Sequence, residues 1–265
     1  MLTYVINLER SVDRRQVLTE KLARDSWPHT FVNAVDGRAL SAQDRALYSP
    51  LLAFLRFGRG LKAGELACYL SHLKCLRQFL ATDEPVCLVL EDDVDWTPGT
   101  GAVVQELAQV LGQHGEPWEV VNLGHVSKRP ALAAPIARIA EDNAVSRIFD
   151  FPLTTHALLW NREGARHFLH RSRRIFDPVD VAARRIYSGT GLGLGLIARL
   201  VFQADFDSEI DASGSAGSGT ASKPVEAWRR LRARQLRKYH LIRARRGFAA
   251  WTEREDFAAT ADPAH

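Results

Sequence analysis

Short apolar runs alternate with longer stretches of helical spacing along the first half of the chain. Residues 3–8 alternate small apolar side chains and predict a strand. Residues 11–24 predict a helix, since a serine can cap its start and its leucines share one face. Residues 30–35 predict a second strand, which the turn pair Asp36-Gly37 ends. The chain therefore opens as strand, helix and strand.

The same alternation continues toward the C-terminus. Residues 61–80 carry the apolar stripe of a mostly buried helix, and residues 86–90 form the near-continuous apolar run of an interior parallel strand. Further helices are predicted over 101–111, 162–171 and 178–186, and further strands over 118–123, 154–160 and 201–206. This repetition predicts an α/β fold with a mostly parallel central sheet and helices on both faces. Such sheets bind ligands beyond the carboxyl ends of their strands.

Composition changes abruptly after residue 211. Residues 212–222, "ASGSAGSGTAS", carry no charge and predict a flexible linker or mobile loop between a main domain over 1–211 and a segment over 223–265. Of the 35 Lys and Arg and 31 Asp and Glu in the chain, ten basic residues and one acid lie between Lys223 and Arg246. The last segment is strongly basic, whereas the main domain is mildly acidic.

The basic segment also has helical amphipathic spacing. Drawn as a helix, residues 225–242 gather six apolar side chains in one arc: Val225, Trp228, Leu231, Leu236, Tyr239 and Ile242. Basic residues lie mostly opposite: Arg230, Arg234, Arg237, Lys238 and Arg245. This pattern favours binding to an anionic membrane surface. The structural alternative is that the arc packs on the main domain, and nucleic-acid binding is not expected because basic charge alone is nonspecific.

Several simple features bear on location. No stretch approaches the ~20 apolar residues of a membrane-spanning helix, and the opening residues do not resemble a secretory signal. The three cysteines, Cys68, Cys75 and Cys87, lack metal-ligand spacing and are expected to be small buried hydrophobes. These features predict a cytoplasmic protein. The basic amphipathic segment adds the expectation of peripheral attachment to the inner membrane.

Residues 86–95, "VCLVLEDDVD", place four carboxylates within five residues directly after a predicted buried strand. Two like charges ~5 Å apart at an effective dielectric of ~20 repel by about 3 kcal/mol. A hard divalent cation, Mn²⁺ or Mg²⁺, would neutralise them. If the strand continues, Asp93 and Asp95 lie on one side as metal ligands, and Glu91 or Asp92 accepts hydrogen bonds from a ribose or sugar hydroxyl. The alternative is a solvated acidic turn.

Five segments, in this order, resemble glycosyltransferase family 25, the bacterial lipopolysaccharide and lipooligosaccharide galactosyltransferase type. They are "YVINLERSVDRR" (4–15), "FVNAVDG" (31–37), "GELACYLSHLKCL" (64–76), "LVLEDDV" (88–94) and "THALLWNREGARHFL" (155–169) with "DPVD" (177–180). The resemblance implies a GT-A-like, nucleotide-sugar-binding catalytic domain over 1–211. It also implies a UDP-sugar donor, a divalent metal and inverting transfer of a hexose, typically galactose, onto a lipid-linked oligosaccharide acceptor.

The resemblance also implies a donor site, carried over by position. Its residues are Ile6, Asn7, Leu8, Arg10, Arg14, Asp36, Gly37, Glu65 and His72, together with Glu91 and Asp92. Glu65 and His72 are seven residues apart and share a helix face. The alternatives are that Arg10 and Arg14 are solvated charges at a helix start and that His72 is a satisfied core histidine.

An inverting transfer needs a carboxylate base opposite the leaving group. The second half of the chain offers Asp180, with Asp177 in reserve because it is also a suitable helix cap. A later histidine is a further candidate metal ligand, and the sequence does not rank His156 against His240. The stretch "THALLWN" departs from the family's commoner pattern, which leaves the donor sugar open.

Two other classes of function remain alternatives. A non-catalytic domain that binds a nucleotide sugar would keep the same pocket. A Mg²⁺-dependent phosphohydrolase would also use clustered aspartates at a strand end, although lysines are scarce before the basic segment. Dependence of UDP binding on Mn²⁺ favours the transferase, and indifference to nucleotides opposes it.

Overall fold

The computed structural model describes residues 1–126, 132–140, 143–204 and 223–261. The strands are β1 (Leu2–Asn7), β2 (Thr30–Asn33), β3 (Val86–Glu91), β4 (Val94–Trp96), β5 (Val120–Val126), β6 (Ala133–Ile139), β7 (Asn143–Ile148), β8 (Ala157–Asn161), β9 (Gly193–Leu196) and β10 (Val201–Gln203). The helices are α1 (Val12–Arg24), α2 (Ala42–Ala46), α3 (Pro50–Phe57), α4 (Ala63–Leu80), α5 (Thr100–Gln113), α6 (Arg162–Arg171), α7 (Val179–Tyr187) and α8 (Lys223–Ala261), and a 3-10 turn covers Gly37–Ala39.

Eight strands form the central sheet in the order β2-β1-β3-β8-β5-β9-β7-β6. β1 pairs in parallel with β2 and β3, and β5 pairs in parallel with β9. Only β7 and β8 run against their neighbours, so six of the eight strands share one direction. The predicted mostly parallel sheet is confirmed in that sense. β4 and β10 form a separate two-stranded sheet.

Helices cover both faces of the sheet, as the sequence predicts. Along β3, Cys87 and Val89 pack in a core with α4, α6 and α7, whereas Leu88 and Leu90 pack on the opposite side with α1 and α5. Successive side chains of a strand point to opposite faces. A strand buried on both faces must therefore be apolar throughout, which explains the continuous run before the acidic residues. The α/β layering expected of a GT-A-like fold is confirmed.

Some elements differ from the sequence predictions. The strand predicted over 154–160 is β8, and it enters antiparallel between β3 and β5. The strand predicted over 201–206 ends at Gln203 and pairs with β4 rather than with the central sheet. The predicted linker at 212–222 lies outside the described residues. Among the described residues, no helix is both long enough and apolar enough to span a bilayer.

Helix α8 packs along the rest of the protein. Trp228 stacks on Phe54 of α3 with ring centroids 5.8 Å apart, and Phe248 meets Phe149 at 5.4 Å. A Cβ on Gly247 would lie 2.2 Å from the carbonyl oxygen of Gly189, so only glycine allows the helix backbone to approach this closely.

This packing divides the apolar arc that the sequence predicts for α8. Trp228 and Leu236 are half-buried. Leu231, Tyr239 and Ile242 remain 52%, 52% and 41% exposed. The structural alternative therefore accounts for Trp228 and Leu236 and leaves Leu231, Tyr239 and Ile242 in contact with solvent.

Candidate functional site

A pocket of about 120 Å³ opens at the carboxyl ends of β1, β2 and β3. The structure brings nine predicted residues to its wall: Ile6, Leu8, Arg10, Arg14, Asp36, Gly37, Glu91, Asp92 and Asp93. The first turns of α4 complete the wall with Gly64, Ala67, Cys68 and Ser71. The pocket lies where open α/β sheets bind their ligands, because the loops that follow parallel strands meet at this edge.

The end of β1 is tied to the acidic cluster. Asn7 is buried, and its Nδ2 donates to Asp92 Oδ2 at 2.8 Å and to the carbonyl of Ser11 at 3.3 Å. Arg14, one turn into α1, donates to Asp92 Oδ1 at 3.2 Å. Asp92 therefore joins β1, α1 and the end of β3. One of its partners, the guanidinium group of Arg14, also lines the pocket.

The turn after β2 forms the opposite wall. Asp36 caps the 3-10 turn by accepting from the backbone N–H of Arg38 at 2.9 Å, and its other oxygen accepts from Arg10. A Cβ on Gly37 would lie 2.8 Å from the backbone of Ala63, at the start of α4. Glycine is required because the turn packs directly against this helix.

Glu91 is held by two hydrogen bonds at the last position of β3. His72 Nε2 lies 3.1 Å from Glu91 Oε1, and Thr155 donates to the same oxygen at 2.9 Å. Burial alone would raise the pKa of Glu91, but the interactions with His72 and Thr155 outweigh it and leave the pKa below its ordinary value. His72 is 1% exposed and is not among the residues that line the pocket, but it holds Glu91, which is.

The acidic residues after Glu91 do not continue the strand. The chain turns at Asp92 and Asp93, and β4 then leaves the central sheet to pair with β10. The premise that placed Asp93 and Asp95 on one side is therefore wrong. Asp95 does not line the pocket and pairs with Lys21 of α1 at 2.7 Å.

Asp93 follows Glu91 in the acidic cluster and lines the first pocket. Its Oδ2 accepts from Gln203 at 2.7 Å, whereas its buried Oδ1 has no hydrogen-bond partner among the described residues. Burial, followed by the negative charge of Glu91, raises its pKa. A divalent cation at Oδ1 would satisfy that atom and offset the repulsion, so Asp93 fits the metal ion that the resemblance implies.

A second pocket, of about 270 Å³, adjoins the first and shares Glu91 and Cys68 with it. Asp180 lines this pocket from the first turn of α7, and its Oδ1 accepts from the N–H of Val181 at 2.8 Å. No ion pair to Asp180 is present among the described residues. Burial, with added repulsion from Glu91 and Glu65, raises the pKa of Asp180.

Glu65 also lines the second pocket, at the start of α4. Arg59 donates two hydrogen bonds to it, at 2.7 and 2.6 Å, and the N–H of Lys62 donates a third at 2.7 Å. Burial would raise the pKa of Glu65, but these partners lower it below its ordinary value. Glu65 therefore stays ionised beside Asp180. This ionised state suits a fixed hydrogen-bond acceptor better than a group that exchanges protons.

Asp177, the reserve base, has a structural role. Its side chain is fully buried and forms ion pairs with Arg56 at 2.6 Å and Arg185 at 2.5 Å.

The structure places the two candidate histidines in different regions of the protein. His156 lines the second pocket, and its buried Nε2 has no hydrogen-bond partner within the described ranges. His240, a residue of α8, is buried among arginines away from the second pocket.

The sequence analysis did not identify three residues of the site. Thr155 bonds Glu91, Gln203 bonds Asp93, and Cys68 lines both pockets. Cys75 and Cys87 are buried as predicted, but Cys68 is only half-buried. A signal existed for Cys68, which lies four residues before His72 on the same helix face. Gln203 reaches the site through the pairing of β4 with β10, which no local pattern indicates.

Comparison with known proteins identifies relatives of this chain. Residues 1–183 match the sequence model of glycosyltransferase family 25, described as an LPS biosynthesis protein. Procollagen galactosyltransferase 2 of Homo sapiens is 31% identical over 146 residues, which are 52% of this chain and 23% of that protein. Procollagen galactosyltransferase 1 of Danio rerio is 30% identical over 139 residues, or 50% of this chain and 23% of the relative.

A third relative is named for lost activity. The probable inactive glycosyltransferase 25 family member 3 of Bos taurus is 30% identical over 182 residues, which are 67% of this chain and 30% of that protein. The chain thus spans less than a third of the length of these relatives. The family model covers more than half of the chain, including Glu91 of both pockets and Asp180 of the second pocket, and the chain therefore belongs to glycosyltransferase family 25.

Proposed function

We propose that this protein is a metal-dependent, inverting glycosyltransferase that moves a hexose from a UDP-sugar to a sugar hydroxyl. The main support for this proposal is that the two pockets meet at Glu91 and Cys68, with Asp93 on one side and Asp180 on the other. A donor in the first pocket and an acceptor in the second would meet at this junction. The names of the procollagen relatives favour galactose as the hexose.

The first pocket suits the nucleotide diphosphate. Asp93 is the proposed metal ligand, and a Mn²⁺ or Mg²⁺ ion there would act as a Lewis acid on the diphosphate. Arg10 and Arg14 supply positive charge at the same wall. Glu91, kept ionised by His72 and Thr155, is placed to accept a hydrogen bond from a donor hydroxyl. Asp95 as a second ligand stays a prediction, which requires its ion pair with Lys21 to break.

The second pocket supplies the base. Asp180 would take the proton of the acceptor hydroxyl as that oxygen attacks the anomeric carbon from the face opposite UDP. Its raised pKa makes it a stronger base than an ordinary aspartate. His156, with its unsatisfied Nε2, is the later histidine that we propose for this site, either on the metal or on a substrate oxygen.

Binding of UDP with and without Mn²⁺, measured by isothermal titration, tests the donor site. We expect Mn²⁺-dependent binding in the wild-type protein and its loss in Asp93→Ala. Binding without any turnover of UDP-sugars would support the second candidate, a non-catalytic nucleotide-sugar-binding domain, which the relative named inactive favours. Indifference to nucleotides would exclude both.

The acceptor is proposed to be an oligosaccharide linked to a lipid, which fits the family's description as an LPS biosynthesis protein. A surface formed by α3 and α8 suits an anionic bilayer. On α3, Leu51, Phe54 and Leu55 are 68%, 50% and 48% exposed. The exposed apolar side chains of α8 lie on a helix that carries ten basic residues between positions 223 and 246. Peripheral helices of this kind bind through buried apolar area and attraction to anionic lipid.

Sedimentation with vesicles tests the membrane surface. The double variant Arg234→Glu with Lys238→Glu reverses two exposed charges on α8, and Arg24→Glu with Arg77→Glu makes the same change on α1 and α4. We expect wild-type protein to bind anionic vesicles at low salt, the α8 variant to lose binding, and the control to keep it. Equal binding by both variants, or no preference for anionic lipid, would remove the membrane surface.

A further inference from the structure

Three metal-ligating side chains converge at the junction of the two pockets. Cys68 and His72 lie one turn apart on the same face of α4, and Glu91 faces them from the end of β3. One donor atom from each lies within 4.8 Å of the other two, and His72 Nε2 is 3.1 Å from Glu91 Oε1. These residues are separate from Asp93, whose Oδ1 defines the proposed Mn²⁺ or Mg²⁺ position.

The donor set selects a different class of ion. Mg²⁺ and Mn²⁺ prefer oxygen ligands, whereas a thiolate, an imidazole and a carboxylate together suit Zn²⁺. With Zn–S distances of ~2.3 Å and Zn–N and Zn–O distances of ~2.0–2.1 Å, ligand atoms around tetrahedral zinc lie ~3.3–3.6 Å apart. His72 Nε2 and Glu91 Oε1, 3.1 Å apart, lie slightly closer together than that separation. The Cys68 sulfur lies within 4.8 Å of both atoms and must move toward them to complete the ligand set.

The surroundings also favour a cation here. Four carboxylates act electrostatically on the Cys68 sulfur: Glu91, Asp180, Asp93 and Asp92. Cys68 is half-buried and lines both pockets, so an ion can reach it from solvent. Three protein ligands would leave a fourth tetrahedral position facing the pockets, as in zinc sites that exchange a water or substrate atom.

We propose that Cys68, His72 and Glu91 form a Zn²⁺ site with one open position. Zinc binding displaces the Nε2 proton that His72 donates to Glu91, which moves to Nδ1 of the neutral ring, and it releases the thiol proton of Cys68 to solvent. The thiolate of Cys68 and the carboxylate of Glu91 then offset the charge of the ion. One consequence rests on the proposed transferase function: zinc would take the Glu91 oxygen that serves the donor sugar, and Zn²⁺ would inhibit transfer competitively with the nucleotide sugar.

The test uses the full chain, stripped of metal, and Co²⁺ as a spectroscopic substitute for Zn²⁺. We expect one equivalent of Co²⁺ to give a thiolate-to-cobalt charge-transfer band that Zn²⁺ abolishes by displacement. Cys68→Ser should lose the band and weaken Zn²⁺ binding at least about 100-fold, since even outer-shell partners of a metal are worth 10- to 100-fold. Cys75→Ala removes a thiol from the same helix, outside the cluster, and should keep the band.

Two further measurements keep the outcome decisive. Asp93→Ala should retain the cobalt band even if it no longer binds UDP, which separates this site from the proposed donor site. In the wild-type protein, Zn²⁺ should slow alkylation of Cys68 by iodoacetamide, read by peptide mass spectrometry, so a Cys68→Ser variant that fails to fold does not end the test. The absence of a thiolate band, an unchanged band in folded Cys68→Ser, or equal alkylation with and without Zn²⁺ would overturn the proposal.

Discussion

Asp177 and Asp180 lie three positions apart at the start of α7 and have opposite surroundings. Asp177 is fully buried between the guanidinium groups of Arg56 and Arg185. Asp180 lines a pocket, accepts a backbone hydrogen bond and faces the charges of Glu91 and Glu65. A buried carboxylate whose charge is matched by protein cations serves the fold, whereas one held among other carboxylates is a candidate for chemistry.

The same contrast extends to the two regions around these residues. The pocket side gathers carboxylates beyond the ends of the strands. Asp92 is joined to Arg14, and one oxygen of Asp93 has no hydrogen-bond partner in the part of the chain that the structure describes. The interface between α3, α7 and α8 gathers arginines, and buried His240 lies among them. The first region has an excess of negative charge that a ligand can offset. In the second region, ion pairs within the protein neutralise the charges, and the buried histidine stays unprotonated.

The largest expected effect is on Asp93. Asp93→Ala should lower transfer by about 10³-fold or more, since a metal at this site contributes several kcal/mol to the transition state. The metal-free variant should melt at the wild-type temperature or above, because a repelling carboxylate is removed. UDP-sugar turnover and thermal melting measure the two effects.

Asp95→Ala is the matched control, since it removes an acid of the same cluster that pairs with Lys21. It should leave turnover near the wild-type value. An equal loss in both variants would instead make Asp95 a ligand, and near-normal turnover in Asp93→Ala would remove the metal site.

The substitution Asp180→Asn tests whether the carboxylate in the second pocket acts as the base. The amide keeps the volume of the side chain but cannot take a proton, so kcat should fall by about 10²- to 10⁴-fold. Mn²⁺-dependent UDP binding should stay within a few-fold of wild type, because Asp180 lies in the second pocket. Loss of UDP binding would assign Asp180 to the donor site or the fold.

Asp177→Asn should have the converse effect. Removal of one partner from a buried ion pair commonly costs about 3–5 kcal/mol, because Arg56 and Arg185 lose the charge that offsets theirs. Chemical denaturation should show this loss, while the folded fraction keeps its UDP affinity. Unchanged stability with a large loss of kcat would reverse the roles of Asp177 and Asp180.

The smallest effect concerns His240 and pH. Burial, together with Arg184, Arg56, Arg243 and Arg185, lowers the pKa of His240 to about 4. In the unfolded chain it protonates near the ordinary value of about 6.5. The unfolded state therefore binds the extra proton between these values, and the stability present above pH 6.5 should fall by about 3 kcal/mol as the pH drops to about 4.

His240→Gln should reduce that loss of stability, measured as the difference from wild type in denaturant melts between pH 7 and pH 4. His114, which is exposed, offers the control His114→Gln. Identical pH curves for wild type and His240→Gln would show that the arginine-rich interface does not exclude a protonated histidine.

The sequence was most informative where neighbours along the chain are also neighbours in the fold. The strand-helix-strand start, the buried stripe of α4 and the run of β3 follow local periodicity, and the structure contains all three. The pairing of β4 with β10 joins Asp95 to Phe202, far along the chain. That long-range contact determines where the acidic residues point, and no local pattern encodes it. The sequence therefore located the carboxylates without distinguishing Asp93 from Asp95.

Helix α8 illustrates a second limit. A helical projection ranks faces by side-chain size and polarity, and it favours the arc that includes Leu231 and Ile242. The closely packed positions instead include buried Ala244 and half-buried Gly247, because small residues let two backbones approach closely. β9, with sequence "GLGL", likewise gives little periodic signal although it lies inside the sheet.

We propose that the two pockets together perform a metal-dependent sugar transfer. The most direct measurement is UDP release from UDP-galactose, UDP-glucose and the UDP-N-acetylhexosamines, with and without Mn²⁺, in wild type and in Asp180→Asn. We expect UDP release from one UDP-hexose, with UDP-galactose as the favoured donor, and we expect this release to require Mn²⁺. In Asp180→Asn the release should fall by orders of magnitude. Release that is independent of metal, or equal in wild type and Asp180→Asn, would contradict it.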